Sequence, residues 1–151
     1  MPNWCHNRIT IYGDSETESK LKEIEETFRK AQPFNEIFPI PDFKNIPNDK
    51  GELPKLEQHL NKDGSVFYET YNFPDGTNDD RWYHWCIANW GTKWDVSELC
   101  VEYADDEQLE LTFSTAWSPP EGIIEKLREK YPDLSFSCFY DEPGMEVAGY
   151  Y

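Results

Sequence analysis

The sequence predicts an α+β fold: an antiparallel sheet with two helices on one face, an aromatic-rich insertion and a C-terminal β-hairpin. Three observations carry this prediction. Two segments, near 15–31 and 118–131, place apolar residues at helical spacing. Runs that alternate apolar and polar residues flank them and join across polar turns. The order is strand, helix, insertion, strand, strand, helix, strand, in one domain over 1–151 with the insertion at about 34–92. As one domain, a chain of 151 residues buries roughly 70% of its unfolded surface.

Residues 4–12 alternate around Ile9 and Ile11 and stop at Gly13, which makes a first strand. In "DSETESKLKEIEETFRKA", Ser15 and Glu18 have capping-box spacing, and Leu21, Ile24, Phe28 and Ala31 share one face. The outer face holds i,i+4 pairs such as Glu18–Lys22 and Glu25–Arg29, so those charges support the helix. Residues 34–80 carry prolines, and "KDG" and "PDG" turns flank "SVFYETYNF"; this reads as an irregular insertion with a hairpin over Val66–Asn72. "DDRWYHWCIANWG" predicts a short helix capped by Asp79 or Asp80. Trp82, Trp85, Cys86, Asn89 and Trp90 fall on its stripe and Gly91 stops it.

"KWDVSELCVEYADDEQLELTFSTAW" predicts a β-hairpin, with Leu99, Val101 and Tyr103 on one side and Leu109, Leu111 and Phe113 on the next strand. A second helix opens with Ser118 as N-cap, Pro119 at N1 and Glu121 at N3, and carries Ile123, Ile124, Leu127 and Tyr131. Leu134, Phe136, Cys138 and Tyr140 alternate along the next strand. Pro143–Gly144 predicts a type II turn into a short last strand near 145–149. The resulting β-α-β-β-α-β order is the split βαβ, or ferredoxin-like, plan.

Composition removes several functions. Thirty acidic against 14 basic residues give a net charge of -16. That charge repels phosphate backbones, so direct nucleic-acid binding is not expected. No apolar run reaches the length of a membrane span. "MPNWCHNRITIYG" has no secretory pattern, and the four cysteines are expected as free thiols in the cytoplasm of a bacterial host. No metal is expected: Cys5 and His6 are neighbours on a strand and face opposite ways, and His84 and Cys86 are about 200° apart on a helix. No P-loop or G-x-G-x-x-G pattern is present, so no cofactor is predicted.

Five stretches carry a family resemblance: "MPNWCHNRITIYG", "FNEIFPIP" at 34–41, "WCIANWGTKWD" at 85–95, "STAWSPP" at 114–120 and "YDEPGMEVAGYY" at the end. Together they resemble the YubB ferredoxin-like, or Api-like, phage protein family, over the whole chain except roughly 42–80. The resemblance implies a ferredoxin-like fold and a phage or plasmid origin. It implies no catalytic residues.

"NWGTKWD" puts two tryptophans four residues apart, and the chain has six. Trp94 shares a strand face with Val96 and Cys100, opposite to Leu99, Val101 and Tyr103. In an open sheet of this type that second face is bare. The sequence therefore predicts a cover made of the insertion, its "FPIP" segment and the Trp-rich helix, with Trp4, Trp90, Trp94 and Trp117 as filler. A cleft between sheet and cover would be edged by Arg8, Asn89, Lys93 and Asp95, an apolar recess with a few polar groups. The expected function is non-enzymatic: an accessory binding protein of a phage or plasmid, a counter-defence factor that captures a host protein or a small nucleotide-like ligand. Two alternatives are a small hydrolase or transferase using a Cys–His pair, with Cys86 or Cys5 beside His6 or His84, and a virion or assembly component.

Overall fold

The computed structural model describes residues 2–151. Its elements in chain order are β1 (Trp4–Tyr12), α1 (Glu18–Phe28), α2 (Pro33–Ile37), β2 (Lys55–Leu60), β3 (Val66–Asn72), α3 (Arg81–Asn89), β4 (Ser97–Ala104), β5 (Gln108–Ala116), α4 (Glu121–Lys130), β6 (Ser135–Glu142) and β7 (Val147–Tyr150). The chain forms two compact units. One comprises the chain up to Pro39 together with Cys86–Tyr151, and the other is Ile40–Trp85.

In the first unit five strands form an antiparallel sheet in the order β4-β5-β1-β6-β7. The first four strands make the ferredoxin-like arrangement, with β7 added at one edge. β1 is central because its residues alternate: Cys5, Asn7, Ile9 and Ile11 are buried, while Trp4, His6, Arg8 and Tyr12 are exposed. The buried set faces Phe113 and Leu111 of β5 and Tyr140 and Cys138 of β6. The helices cover that side. Phe28 of α1 stacks on Phe113 at 5.9 Å, and Arg128 of α4 reaches the Phe136 carbonyl and Cys138 Sγ.

The same side holds two residues that the sequence places elsewhere. Phe34 meets the Phe113 and Trp90 rings edge-on, each at 5.8 Å. Both Phe34 and Trp90 are buried, and Trp90 Nε1 donates to the Phe38 carbonyl at 2.8 Å. They are therefore core on the helix side, not part of a cover over the opposite face, and residues 34–39 and 86–92 pack within the first unit. The alternation drawn along Trp94, Val96 and Cys100 does not hold: Trp94 and Val96 precede β4, and the register breaks between Ser97 and Cys100.

Several local expectations also change. Asp14 Oδ1 accepts from the N–H groups of Glu16 and Thr17, and the Asp14 N–H donates to Thr17 Oγ1. This turn replaces the Ser15–Glu18 box, and Glu18 pairs with Lys22 instead. α4 starts at Glu121 rather than 118: Pro120 holds the N-cap position without a side-chain cap, and the Ser118 hydroxyl donates to the Gly91 carbonyl. Gly91 has a φ of 91°, in the left-handed region suited to glycine. Leu99, Val101 and Tyr103 do not share one side: register breaks at Ser97/Cys100 and Val101/Tyr103 put Val101 opposite Leu111 but Tyr103 opposite Glu110. The 143–146 turn has its positive φ at Glu146 (56°), not at Gly144, so it is not the predicted type II turn.

The second unit contains a hairpin, but it is larger than predicted: Val66–Asn72 forms only one of its strands, and Lys55–Leu60 is the other. Its organising residue is Arg81. The guanidinium lies over the Phe43 and Phe73 rings at 5.0 and 5.2 Å. It grips both carboxylate oxygens of buried Asp79 at 2.8 and 2.9 Å and donates to the Phe43 carbonyl at 2.7 Å. A two-stranded hairpin alone is marginal in water, so such an anchor matters. Phe67 and Leu60 on the hairpin remain exposed.

Candidate functional site

Side chains on the face of the first-unit sheet away from the helices come from alternate positions of β1, β5 and β6. Trp4, His6 and Arg8 lie in a row on β1, about 7 Å apart along the strand. Trp4 is 37% exposed and its ring centroid is 6.4 Å from that of Trp94, itself 40% exposed. The Lys93 ammonium rests over the Trp94 ring at 4.2 Å. Further along, the Arg8 guanidinium stands 5.6 Å from the Phe139 ring, which faces it across the β1–β6 register. Around Arg8 and Phe139 is an open recess of about 360 Å³, lined also by His6, Glu98, Ser114 and Asp141; Trp4, Lys93 and Trp94 are not part of its lining. Ser114 Oγ and His6 Nδ1 are 3.3 Å apart in its floor. Glu98 reaches the rim because its φ is 54°, at the β4 register break. A non-glycine residue in that region is uncommon and costs about 1–2 kcal/mol.

The structure divides the eight residues predicted for the cleft. Trp4 and Lys93 both contact Trp94 on the open face, and Arg8 lies further along the same face against Phe139. Trp90 does not; it is in the core. Asp95 does not either. Its carboxylate accepts from the Phe34, Asn35 and Val96 N–H groups at 3.0, 3.1 and 2.8 Å, so it caps the start of α2 across the chain. Burial pushes its carboxyl above the ordinary range, although those three donors pull it back. Asn89 is the half-buried last residue of α3, its carbonyl against Gly122. Trp117 is 45% exposed with a φ of 70°, and its N–H continues the sheet by donating to the Asn3 carbonyl.

Sequence reasoning misses His6, Glu98, Phe139 and Asp141. His6 has the parity of Trp4 and Arg8, so alternation alone could find it. Phe139 and Asp141 require the β1–β6 register, and Glu98 requires a bulge that no residue type announces.

The thiol environments disfavour the thiolate form. Cys5, Cys86 and Cys138 are buried, and desolvation pushes each up to about 11. Exposed Cys100 is raised by its contact with Glu102. Cys5 and His6 point to opposite faces. Exposed His84 pairs with Asp80. Among the described residues no group of three His, Cys, Asp or Glu side chains is placed to hold a metal. No helix among them is long and apolar enough to cross a membrane.

The sheet order and the open aromatic face define a ferredoxin-like α+β protein whose helices occupy one side only. Residues 70–151 match the family described as the ferredoxin-like domain in Api92-like proteins, and the chain belongs to that family. The crystal structure of a protein api92 from Yersinia pseudotuberculosis has the same fold, with a TM-score of 0.56 over 99% of this chain and 93% of that one, at 12% sequence identity. No curated protein matches the chain.

Proposed function

We propose that the protein is a binding protein rather than an enzyme, and that the open sheet face captures its target. The exposed Trp4–Trp94 pair, capped by Lys93, carries this reading. Leaving roughly 100 Å² of each ring in water forgoes about 2–3 kcal/mol per ring, a cost the fold alone gives no reason for. Aromatic residues and arginine gathered in one patch are the usual composition of a binding hot spot. The high thiol pKa values and the absence of any thiol–imidazole bond among the described residues support binding over covalent catalysis. The mobile-element origin implied by the sequence motifs makes the target a host component, a protein or a small nucleotide-like ligand, and counter-defence the role this serves.

The test is retention. Immobilised parent and the Trp4→Ala/Trp94→Ala double variant, both checked for native circular dichroism, are incubated with bacterial lysate and the retained proteins and small molecules are identified by mass spectrometry. A component held by the parent and lost by the variant is expected. Identical retention would remove the open face from the function.

A further inference from the structure

We infer that the open face takes a nucleoside monophosphate whose base carries an exocyclic amino group, with AMP and GMP as its probes. This rests on the reading of that face as a binding surface and names its ligand class.

The first observation is where the unpaired charges are. In the first unit Lys20, Lys22, Arg29, Lys30, Lys126 and Lys130 are each ion-paired with a carboxylate. Arg128 donates to the Phe136 and Tyr151 carbonyls. Arg8 and Lys93 have neither kind of partner among the described residues; each is held only over an aromatic ring. In a chain with 30 acidic residues, two unpaired cations on one face are an unmet demand for an acceptor.

The second observation is that the recess has both signs of charge. Glu98 and Asp141 line it beside Arg8 and His6, and neither carboxylate has a hydrogen bond or ion pair among the described residues. An inorganic phosphate or polyphosphate placed there would be repelled. A base is not: its amino N–H groups donate to carboxylates, as cytosine and adenine amino groups do elsewhere. Its flat face stacks on an arginine plane or an aromatic ring, and Arg8 over Phe139 presents such a stack. The recess volume, about 360 Å³, is at the small end of ligand pockets and suits one base with its sugar.

The sugar then extends along β1 toward His6 and Ser114, whose ring nitrogen and hydroxyl lie 3.3 Å apart. The Trp4–Trp94 ring pair lies outside the recess lining, Trp4 at the next outward-facing position beyond His6 on β1, and Lys93, steadied on Trp94, meets the phosphate there. One phosphate is matched by one cation at that end. Further phosphates would meet the field of a chain with net charge -16. Each chemical part of the nucleotide thus has a counterpart on the face.

Titration calorimetry of the folded full chain with AMP, GMP, IMP, ATP, adenosine, inorganic phosphate and a 15-mer of deoxyadenylate tests this. AMP or GMP should bind and quench tryptophan fluorescence. IMP, which lacks the amino group, should bind at least tenfold more weakly, and ATP no more tightly than AMP at low salt. Arg8→Ala, Lys93→Ala and Glu98→Gln should each weaken AMP or GMP binding about tenfold or more while melting like the parent. No AMP or GMP binding at millimolar concentration would overturn the inference, as would IMP binding equally, tightening from AMP to ATP, or a preference for the 15-mer. If nucleotides fail but a lysate component is still lost in the Trp4→Ala/Trp94→Ala variant, the face binds something else and only this inference falls. If both fail, the binding reading falls with it.

Discussion

Gly122→Ala decides whether main-chain contact or helix propensity governs the start of α4. Gly122 is in the first turn of that helix, and its N–H donates to the Trp90 carbonyl at 3.0 Å. A Cβ there would stand 1.7 Å from the Asn89 carbonyl oxygen, 2.8 Å from its carbon and 3.3 Å from Trp90 Cα. Non-bonded atoms rest at roughly 3.5 Å, so the two backbones must part by about 1.5–2 Å, and neither is a flexible side-chain tip. Overpacking of this kind costs about 1–3 kcal/mol or more, and the strained hydrogen bond adds about 1 kcal/mol. Alanine's better helix propensity returns about 1 kcal/mol. The net expectation is a loss of about 1–3 kcal/mol or more, or a melting temperature lower by roughly 2–12 °C for a chain of this size. Urea titration followed by circular dichroism measures it. Gly149→Ala is the control: its nearest neighbour would be Tyr140 Cε1 at 3.7 Å, an ordinary contact, and a change within about 1 kcal/mol is expected. A Gly122→Ala protein as stable as the parent, or more so, would refute the close approach of α4 to the end of α3.

Trp90→Ala should cost about 3–5 kcal/mol in urea titration, and Trp94→Ala and Trp117→Ala, each close to half exposed, clearly less, about 1–2 kcal/mol each; equal losses would mean that the open face is closed. Arg81 holds the Asp79 carboxyl below the usual carboxylate range. Its stabilisation is therefore complete above the unfolded value of about 4 and is lost as pH falls through the lower folded value. Asp79→Asn should flatten the stability–pH curve in that acid window, and an unchanged curve would show that the Arg81 grip does not form. Glu98→Gly relieves a φ of 54° and should be neutral or raise stability by up to about 1 kcal/mol; a clear loss would mean that the Glu98 side chain, and not its backbone, sets the bulge.

The fold was legible because its signals are local and periodic. Ile9 and Ile11, Leu21 to Phe28, Leu109 to Phe113 and Ile123 to Leu127 each mark an element by spacing alone, and the order of elements selects the sheet plan. The site was half legible. Trp4 and Arg8 share a strand parity, and Lys93 and Trp94 are adjacent, so a pattern could nominate them. Trp90 and Asp95 lie in the same seven residues as Lys93 and Trp94, yet one fills the core and the other caps α2. Their fates depend on α2 folding back beside them, a contact from Phe34 to Trp90 that no periodicity encodes. Glu98 was invisible for a different reason: a bulge shifts register without changing composition.

The central place of β1 has a consequence for how the chain is made. Its partners are β5, from Gln108 onward, and β6, from Ser135 onward. A ribosome adding ~5–20 residues per second therefore presents Ile9 and Ile11 unpaired for on the order of 5–20 s before β5 emerges. During that interval the Ile40–Trp85 unit, whose hairpin and Arg81 anchor draw only on residues of that unit, can form by itself. Long-range pairing of this kind slows folding and leaves the first strand open to sticking. Expression of the free protein should then respond strongly to chaperone supply and to slower synthesis, while variants within the hairpin change that yield little.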